Sequence, residues 1–494
     1  MSFRHMSDGI RLHHQPHQGH DGDGAAAPPW LGAPPHDAID TGDNSAGDGG
    51  SGFFSGAAVD AAVAMFNPSN AAFAGFHGWA DAQQANVVQI DQHAAQIAGV
   101  GGYGGNDNAA VGGSASVLSP ASGPGNAGLD SGVIHTGANE AGNGGAGYFY
   151  GGIIHATLVV YEPINITVTA GYGSGAQADQ TNNVTFDQSA VQMAGIGGNG
   201  GNGNVASGGN VAISSSGSGA IATGDNSAGN GGDGYFSGTL LDAPVVIYHP
   251  INIAVAGVDG AAHASQSNMV EIDQSAIQIA GVGGNGGNGN AAVGGNLSAL
   301  DSGSGSVNGG NHGEMIQAGG SQAGDGGDGY FYGGLVHASF ALYDPVNIAV
   351  AGYNSSAYAN QTNNVDLNQS SHQTAGVGGS GGNGNAAVGG NGSIASAGSW
   401  GGSDAIATGA NGAGNGGSGH ASGTLIDVSV AIYAPINIAI AGPHSTAEAD
   451  QTNNVHFDQS AVQIAGVGGD GGHGNVALGG DFAIHLLSDL HLIG

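Results

Sequence analysis

The sequence predicts an all-β repeat protein: stacked, solenoid-like β modules with Gly-rich segments of polyglycine or polyproline-II type. Three observations predict it. A module of roughly 90 residues occurs five times, opening at Ile39, Ile134, Ile221, Ile316 and Ile406, and self-similarity at a fixed period marks an array. Within each module β-branched residues alternate with a period of two, the period of a strand. Between these stretches Gly-rich tracts repeat every three residues, and 103 of the 494 residues are Gly. The expected division is a disordered His-rich tail at 1–38, a divergent first repeat at 39–133, and repeats at 134–220, 221–315, 316–405 and 406–494.

The tail carries His5, His13, His14, His17, His20 and His36 beside Asp21 and Asp23. Clustered imidazoles can bind Zn, Ni or Cu, but this spacing selects no geometry, so a solvated tail is expected and no metal ligand is assigned. Met1 to Gly24 lacks the apolar run and small-residue cleavage site of a conventional signal peptide.

Composition narrows the function. The formal net charge is −34 and the only Lys/Arg residues are Arg4 and Arg11, both in the tail. The repeats therefore lack the cationic clusters that phosphate contacts require, so no nucleic-acid partner is expected. Binding to an anionic membrane surface is disfavoured for the same reason. Cys is absent, which removes disulfides, thiolate metal sites and Cys nucleophiles. The most membrane-like stretch, Thr424 to Ala441, is interrupted by Asp427, Pro435 and Asn437, so no membrane span is expected.

The apolar stretch of each module reads as two strands broken at a Pro. In the last copy Ile426, Val428, Val430 and Ile432 alternate with Asp427, Ser429, Ala431 and Tyr433, and the alternation resumes after Pro435 as Ile436, Ile438 and Ile440. The next stretch carries a Gln pair spaced by four in every copy: Gln92/Gln96, Gln188/Gln192, Gln274/Gln278, Gln369/Gln373 and Gln459/Gln463. On a strand both members face one side; on a short helix capped by Asp187 and ended by Gly195 they would lie on adjacent turns. Val, Thr, Phe and Ile in the lead-in favour the strand. Stacked copies would then align Gln and Asn into amide ladders, each amide bonding the one above and below.

The tracts Gly197-Gly198-Asn199-Gly200-Gly201-Asn202-Gly203 and Gly283-Gly284-Asn285-Gly286-Gly287-Asn288-Gly289 have the period of a three-per-turn extended helix. Without side chains such helices can pack closely and bond between backbones. A flexible connector is the alternative.

Neighbouring modules differ in an alternating way. One strand position reads Asp60, His155, Asp242, His337 and Asp427; an upstream position reads Ser55, Tyr150, Ser237, Tyr332 and Ser422. Duplication of a two-module unit accounts for this, and the pattern suits modules lying side by side with Asp against His, as inter-module contacts.

Gly286-Gly287-Asn288-Gly289-Asn290 resembles the start of the calcium-binding nonapeptide of RTX proteins, and that resemblance implies a calcium-dependent extracellular binding module for a surface or glycan. Ala291 stands where the family has Asp, and Gly-Gly returns at Gly294, so no calcium ligands are named. The Gln/Asn-rich stretches resemble the repeats of curli-type fibre subunits, which implies stacked β structure in an extracellular matrix. The Gly tracts are similar to the polyglycine-helix bundles of some adhesin tips and antifreeze proteins.

No G-x-S-x-G elbow, H-E-x-x-H pair or phosphate loop is present, and no catalytic residue is assigned. The expected function is an exported, non-enzymatic structural or adhesive protein that self-assembles into a fibre or a surface layer, with itself as main partner and no required cofactor. The alternatives are the calcium-dependent module and an ice-binding protein. The segment from Phe482 to Gly494 departs from the other copies and is expected to cap the array or to act as an uncleaved type I export signal, placing the chain outside the cell or on its surface.

Overall fold

In this computed structural model the chain is described over residues 38–118, 133–215, 220–301 apart from 296, 315–396 apart from 391, and 405–486 apart from 480 and 481. The His-rich tail and the last residues of the C-terminal segment, from Leu487, lie outside this range. The described residues form a parallel β-solenoid without helix.

One repeat makes one coil. Ile39 pairs with Ile134, Ile134 with Ile221, Ile221 with Ile316 and Ile316 with Ile406, so each module opens beside the last. All pairing is parallel and in register, and it builds seven sheets that run the length of the stack. Phe482–Leu486 joins the last of these, pairing with Gly392–Ser396.

Each coil is a flattened loop of two layers. In the second coil the outbound half contains Val133–Thr136, Asn139–Ala141, Gly147–Tyr161 and Ile164–Thr169. The return half contains Gly175–Asp187, Ala190–Ile196, Val205–Ser207 and Val211–Ser215. The chain reverses at a tight turn that needs a left-handed residue. Gly173 fills it here with φ 64°, while His77, Asp259, Asn354 and His444 fill it in the other coils with φ between 50° and 58°. The Gln-rich stretch is extended, not helical: in the first and second coils it is two strands broken at Gln92-His93 and Gln188-Ser189, and in the third and fourth coils one strand of 22 residues.

The core lies between the two layers and is arranged in columns parallel to the stack. Phe54, Phe149, Phe236 and Phe331 stack at 5.1, 5.1 and 5.2 Å between centroids. Tyr161, Tyr248, Tyr343 and Tyr433 stack at 5.5, 5.2 and 5.5 Å. Towards the reversal the layers close on small residues, with Ala254, Ala256, Ala262 and Ala264 buried together with their counterparts in the next coil and Thr167 and Thr169 in the second coil. Such offset stacking is favourable in itself and copies from coil to coil without adjustment.

The Gly tracts are packed backbone against backbone. In the second coil Gly197, Gly200 and Gly203 donate to the carbonyls of Val282, Asn285 and Asn288 one coil on, at 2.8, 2.8 and 2.9 Å. Gly198 and Gly201 donate across to Gly145 and Gly142 of the other tract, at 2.8 and 2.7 Å. Asn285 and Asn288 donate their own N–H groups to the side-chain oxygens of Asn199 and Asn202, at 2.8 and 2.7 Å. Each residue of the G-G-N triplet thus has its own hydrogen-bond direction, which is what an extended helix of three residues per turn provides. The tracts are ordered structure. A Cβ on Gly198 would sit 2.0 Å from the carbonyl oxygen of Gly102, so the approach requires Gly.

Candidate functional site

Three arrangements carry chemical character: amide ladders, a His–Asp column, and two outer faces of different polarity. The ladders come first because they fill the interior. Gln188 donates to Gln92, Gln274 to Gln188, Gln369 to Gln274 and Gln459 to Gln369, at 2.9, 2.9, 2.8 and 2.6 Å. Gln96, Gln192, Gln278, Gln373 and Gln463 form a second ladder with spacings of 3.0, 2.9, 2.8 and 2.8 Å.

The remaining N–H of these amides reaches across the core. Gln192 donates to the carbonyl of Leu241 at 3.0 Å, and Gln278 to that of Val336 at 3.0 Å. One amide therefore joins two coils and two layers. Asn165 works in the opposite direction from the outbound layer, donating to Asn252, Ala178 and Ser265. Buried polar groups are tolerated when bonded in this way, and the network is cooperative because each amide polarises the next.

Three more ladders of the same kind, not assigned by position from the sequence although Gln and Asn ladders are expected in the Gln-rich stretch, are Gln84, Gln180, Gln266, Gln361 and Gln451; Asn86, Asn182, Asn268, Asn363 and Asn453; and, on the outbound layer, Asn70, Asn165, Asn252, Asn347 and Asn437. The signal was available, since an identical amide residue recurs at one position of every copy.

Asp60, His155, Asp242, His337 and Asp427 occupy one inward column in register. His155 Nδ1 lies 2.7 Å from Asp242 Oδ1 and His337 Nδ1 lies 2.9 Å from Asp242 Oδ2, with all three side chains buried. With a carboxylate as acceptor, Nδ1 carries the proton in both rings. His155 Nε2 is 4.0 Å from Asp60 Oδ2. At the far end His337 Nε2 and Asp427 Oδ1 are buried and have no hydrogen-bond partner. The column is tight at Asp242 and loosens towards both ends. Upstream, Tyr150 and Tyr332 face outward beside Ser55, Ser237 and Ser422.

The carboxylates of the first Gly tract accept backbone N–H groups from the next coil. Asp233 accepts from Asp328 at 2.8 Å, Asp328 from Ser418 at 2.6 Å and Asp325 from Asn415 at 2.8 Å. Burial raises the Asp233 carboxyl above its ordinary value, opposed by the bond from Asp328 N–H, and burial likewise raises Asp325 against the bonds it receives from Asn415. Asp273 is raised by burial and by the charge of Asp187, and Glu140 by burial and the charges of Asp48 and Asp43.

The two outer faces differ sharply. Along the outbound strands of the three inner coils the inward residues are buried, and the outward rows are apolar. In the second coil the outward residues are Ile154, Ala156, Leu158, Val160, Ile164, Ile166 and Val168; in the third they are Leu241, Ala243, Val245, Ile247, Ile251, Ile253 and Val255. One polar row crosses this face at the Pro bend, formed by Asn67, Glu162, His249 and Asp344, with His249 Nε2 3.9 Å from Asp344 Oδ2. The return face is polar and acidic over its first part, presenting Asp179, Thr181, Asn183, Thr185 and Asp187 in the second coil and Ser265, Ser267, Glu271 and Asp273 in the third, with Val87 and Met269 exposed among them; beyond that part it turns apolar at Val191, Met193, Ile277 and Ile279. The sequence held the signal for the apolar face too, because the Ile/Val alternation defines two sets of residues; it does not say which set points out.

Five strands at ~4.8 Å and a run from Ile154 to Val168 at ~3.3 Å per residue give this outbound face, its one polar row included, roughly 1,200 Å². Soluble monomers seldom expose an apolar patch beyond a few hundred Å². Among the described residues no helix is long and apolar enough to cross a membrane, and no cluster of three or more His, Asp or Glu side chains is placed to hold a metal ion.

The chain matches no protein-family model, no curated protein and no solved structure.

Proposed function

We propose that this chain is an exported, non-enzymatic structural or adhesive protein, a stiff slab that self-associates into a surface or matrix layer. The observation that carries the reading is the largely apolar outer face of the outbound strands, set opposite a return face that bears most of its carboxylates in its first part. Burying that face against a like face removes about twice 1,200 Å² from water, within the range of stable subunit interfaces. The ladders supply what such a role needs, a rigid body whose side chains are held along its whole length. The carboxylates on the first part of the return face and a net charge of −34 favour solvation of that side and bias association to the outbound face. An extracellular or cell-surface location belongs to the same proposal, and fractionation of the producing cell tests it.

The function is tested by placing charge on the apolar face. Val245 and Ile253 point outward, so Val245→Asp with Ile253→Asp should leave the core and the melting curve close to wild type. Light scattering and electron microscopy are expected to show layers or multimers of the wild type and dispersed slabs of the double variant. A wild type that stays monomeric at high concentration defeats the proposal.

A further inference from the structure

We propose that the solenoid also grows end to end, the last coil of one copy accepting the first coil of the next, and that a carboxylate pair at the joint makes this growth proton-gated. The inference rests on the self-association reading but uses a different surface, the open strand edges at the two ends.

Those edges fit each other because every neighbouring pair of coils inside the chain is already a template for the joint. Among the described residues nothing pairs with the outer edge of Gly52–Phe66 or of Gly419–Tyr433. The ladders are polar along the stack and their free ends are complementary. In each step a Gln donates to the Gln of the preceding coil, so Gln459 ends the row with its acceptor oxygen facing on, and Gln92 of a following copy would present the donor. The Asn ladder runs the other way, ending with Asn437 as donor, and Asn70 of the following copy offers the acceptor. Tyr433 would stack on Phe66 as Tyr161 does within the chain. The joint is head-to-tail and does not close, so it produces an open filament.

The obstacle is charge. Inside the chain each Asp of the inward column meets a His, but the column has five members and both ends are Asp. A joint therefore brings Asp427 against Asp60, in the core. Around Asp60 the facing groups are His155 on the next coil and the Gln96 amide on the return layer; around Asp427 they are His337, Gln373 and Gln463. The other inward residues of these end strands that can titrate reduce to Tyr433. Two outer columns add to the effect, setting Glu448 against Asp81 and Asp458 against Asp91. Two carboxylates brought together in a low-dielectric site cannot both stay ionised at little cost, so the joint takes up a proton as it forms.

The experiment measures rod length of the full chain by electron microscopy, in the Val245→Asp/Ile253→Asp background so that lateral association does not obscure it. The expected result is single rods at neutral pH and mean lengths increased at least about threefold near pH 5, with open-ended growth. Asp60→Asn/Asp81→Asn/Asp91→Asn is expected to lengthen rods at neutral pH. A control with the same change of charge on inner coils, Asp179→Asn/Glu271→Gln/Asp366→Asn, is expected to leave them single. Asp427→Asn, at the other side of the same contact, should act as the first triple variant does and covers the case in which that variant folds poorly. Unchanged rods in both end variants at neutral pH overturn the proposal, as does equal lengthening in the control. Loss of lateral layers in the face variant with rods still lengthening separates this result from failure of the layer itself.

Discussion

At the residue scale the informative side chain is the buried amide. Gln274 is fully buried, donates to Gln188 and accepts from Gln369, so it is held by both neighbouring coils. An apolar residue of similar size would fill the space but leave Gln188 without its donor and Gln369 without its acceptor. Gln274→Leu is therefore expected to cost about 1–3 kcal/mol, measured by urea unfolding. The same change at Gln459, where the ladder ends and solvent reaches the amide, should cost clearly less. Equal losses at the two positions would show that the ladder's continuity contributes nothing. The recurrence of Gln at a spacing of four was legible in the sequence, and so was the pairing of Asp with His, because an in-register parallel stack places each residue against its own counterpart. The cross-layer bonds from Gln192 to Leu241 and from Asn165 to Ser265 were not legible, since they join positions whose proximity is set only when the coil folds back on itself.

At the scale of elements, the Gly tract shows how composition becomes architecture. A triplet with one bond direction per residue uses Gly where two backbones meet and Asn where a side-chain oxygen must serve the next coil. Gly198→Ala places a methyl group against the Gly102 carbonyl and is expected to destabilise by about 1–3 kcal/mol through overpacking. Asn199→Ala removes only one exposed acceptor, for Asn285 N–H, and should cost about 1 kcal/mol or less. Thermal melts of the two variants settle the order, and a harmless Gly198→Ala would mean the tracts do not pack as described. The period of three was plain in the sequence. Which third of the triplet faces the other tract was not, because all of those positions save Asn are Gly.

At the scale of the whole molecule, charge sets the response to pH. The raised carboxyls, Asp233, Asp325 and Asp273 by burial first and Glu140 likewise, bind protons more readily folded than unfolded. For a group with a raised folded value, the stabilisation is fully present below the unfolded value and is lost as pH rises through the folded one. Acidification from neutral into the region just above the ordinary carboxylate values should therefore raise the melting temperature. Circular dichroism on dilute protein checks this, and a melting temperature that falls steadily from neutral pH towards that region would contradict it. The repeats, the strands, the columns of like residues and the surplus of negative charge were determined by the sequence alone, because parallel in-register stacking converts a linear period directly into a spatial one. The tertiary structure decided which side of the alternation faces in. A period of two says only that two sets of side chains lie on opposite sides of a strand. Here the amides and the His–Asp column go inside, where both coil neighbours and the opposite layer satisfy them, and the Ile/Val rows are left as the outer face.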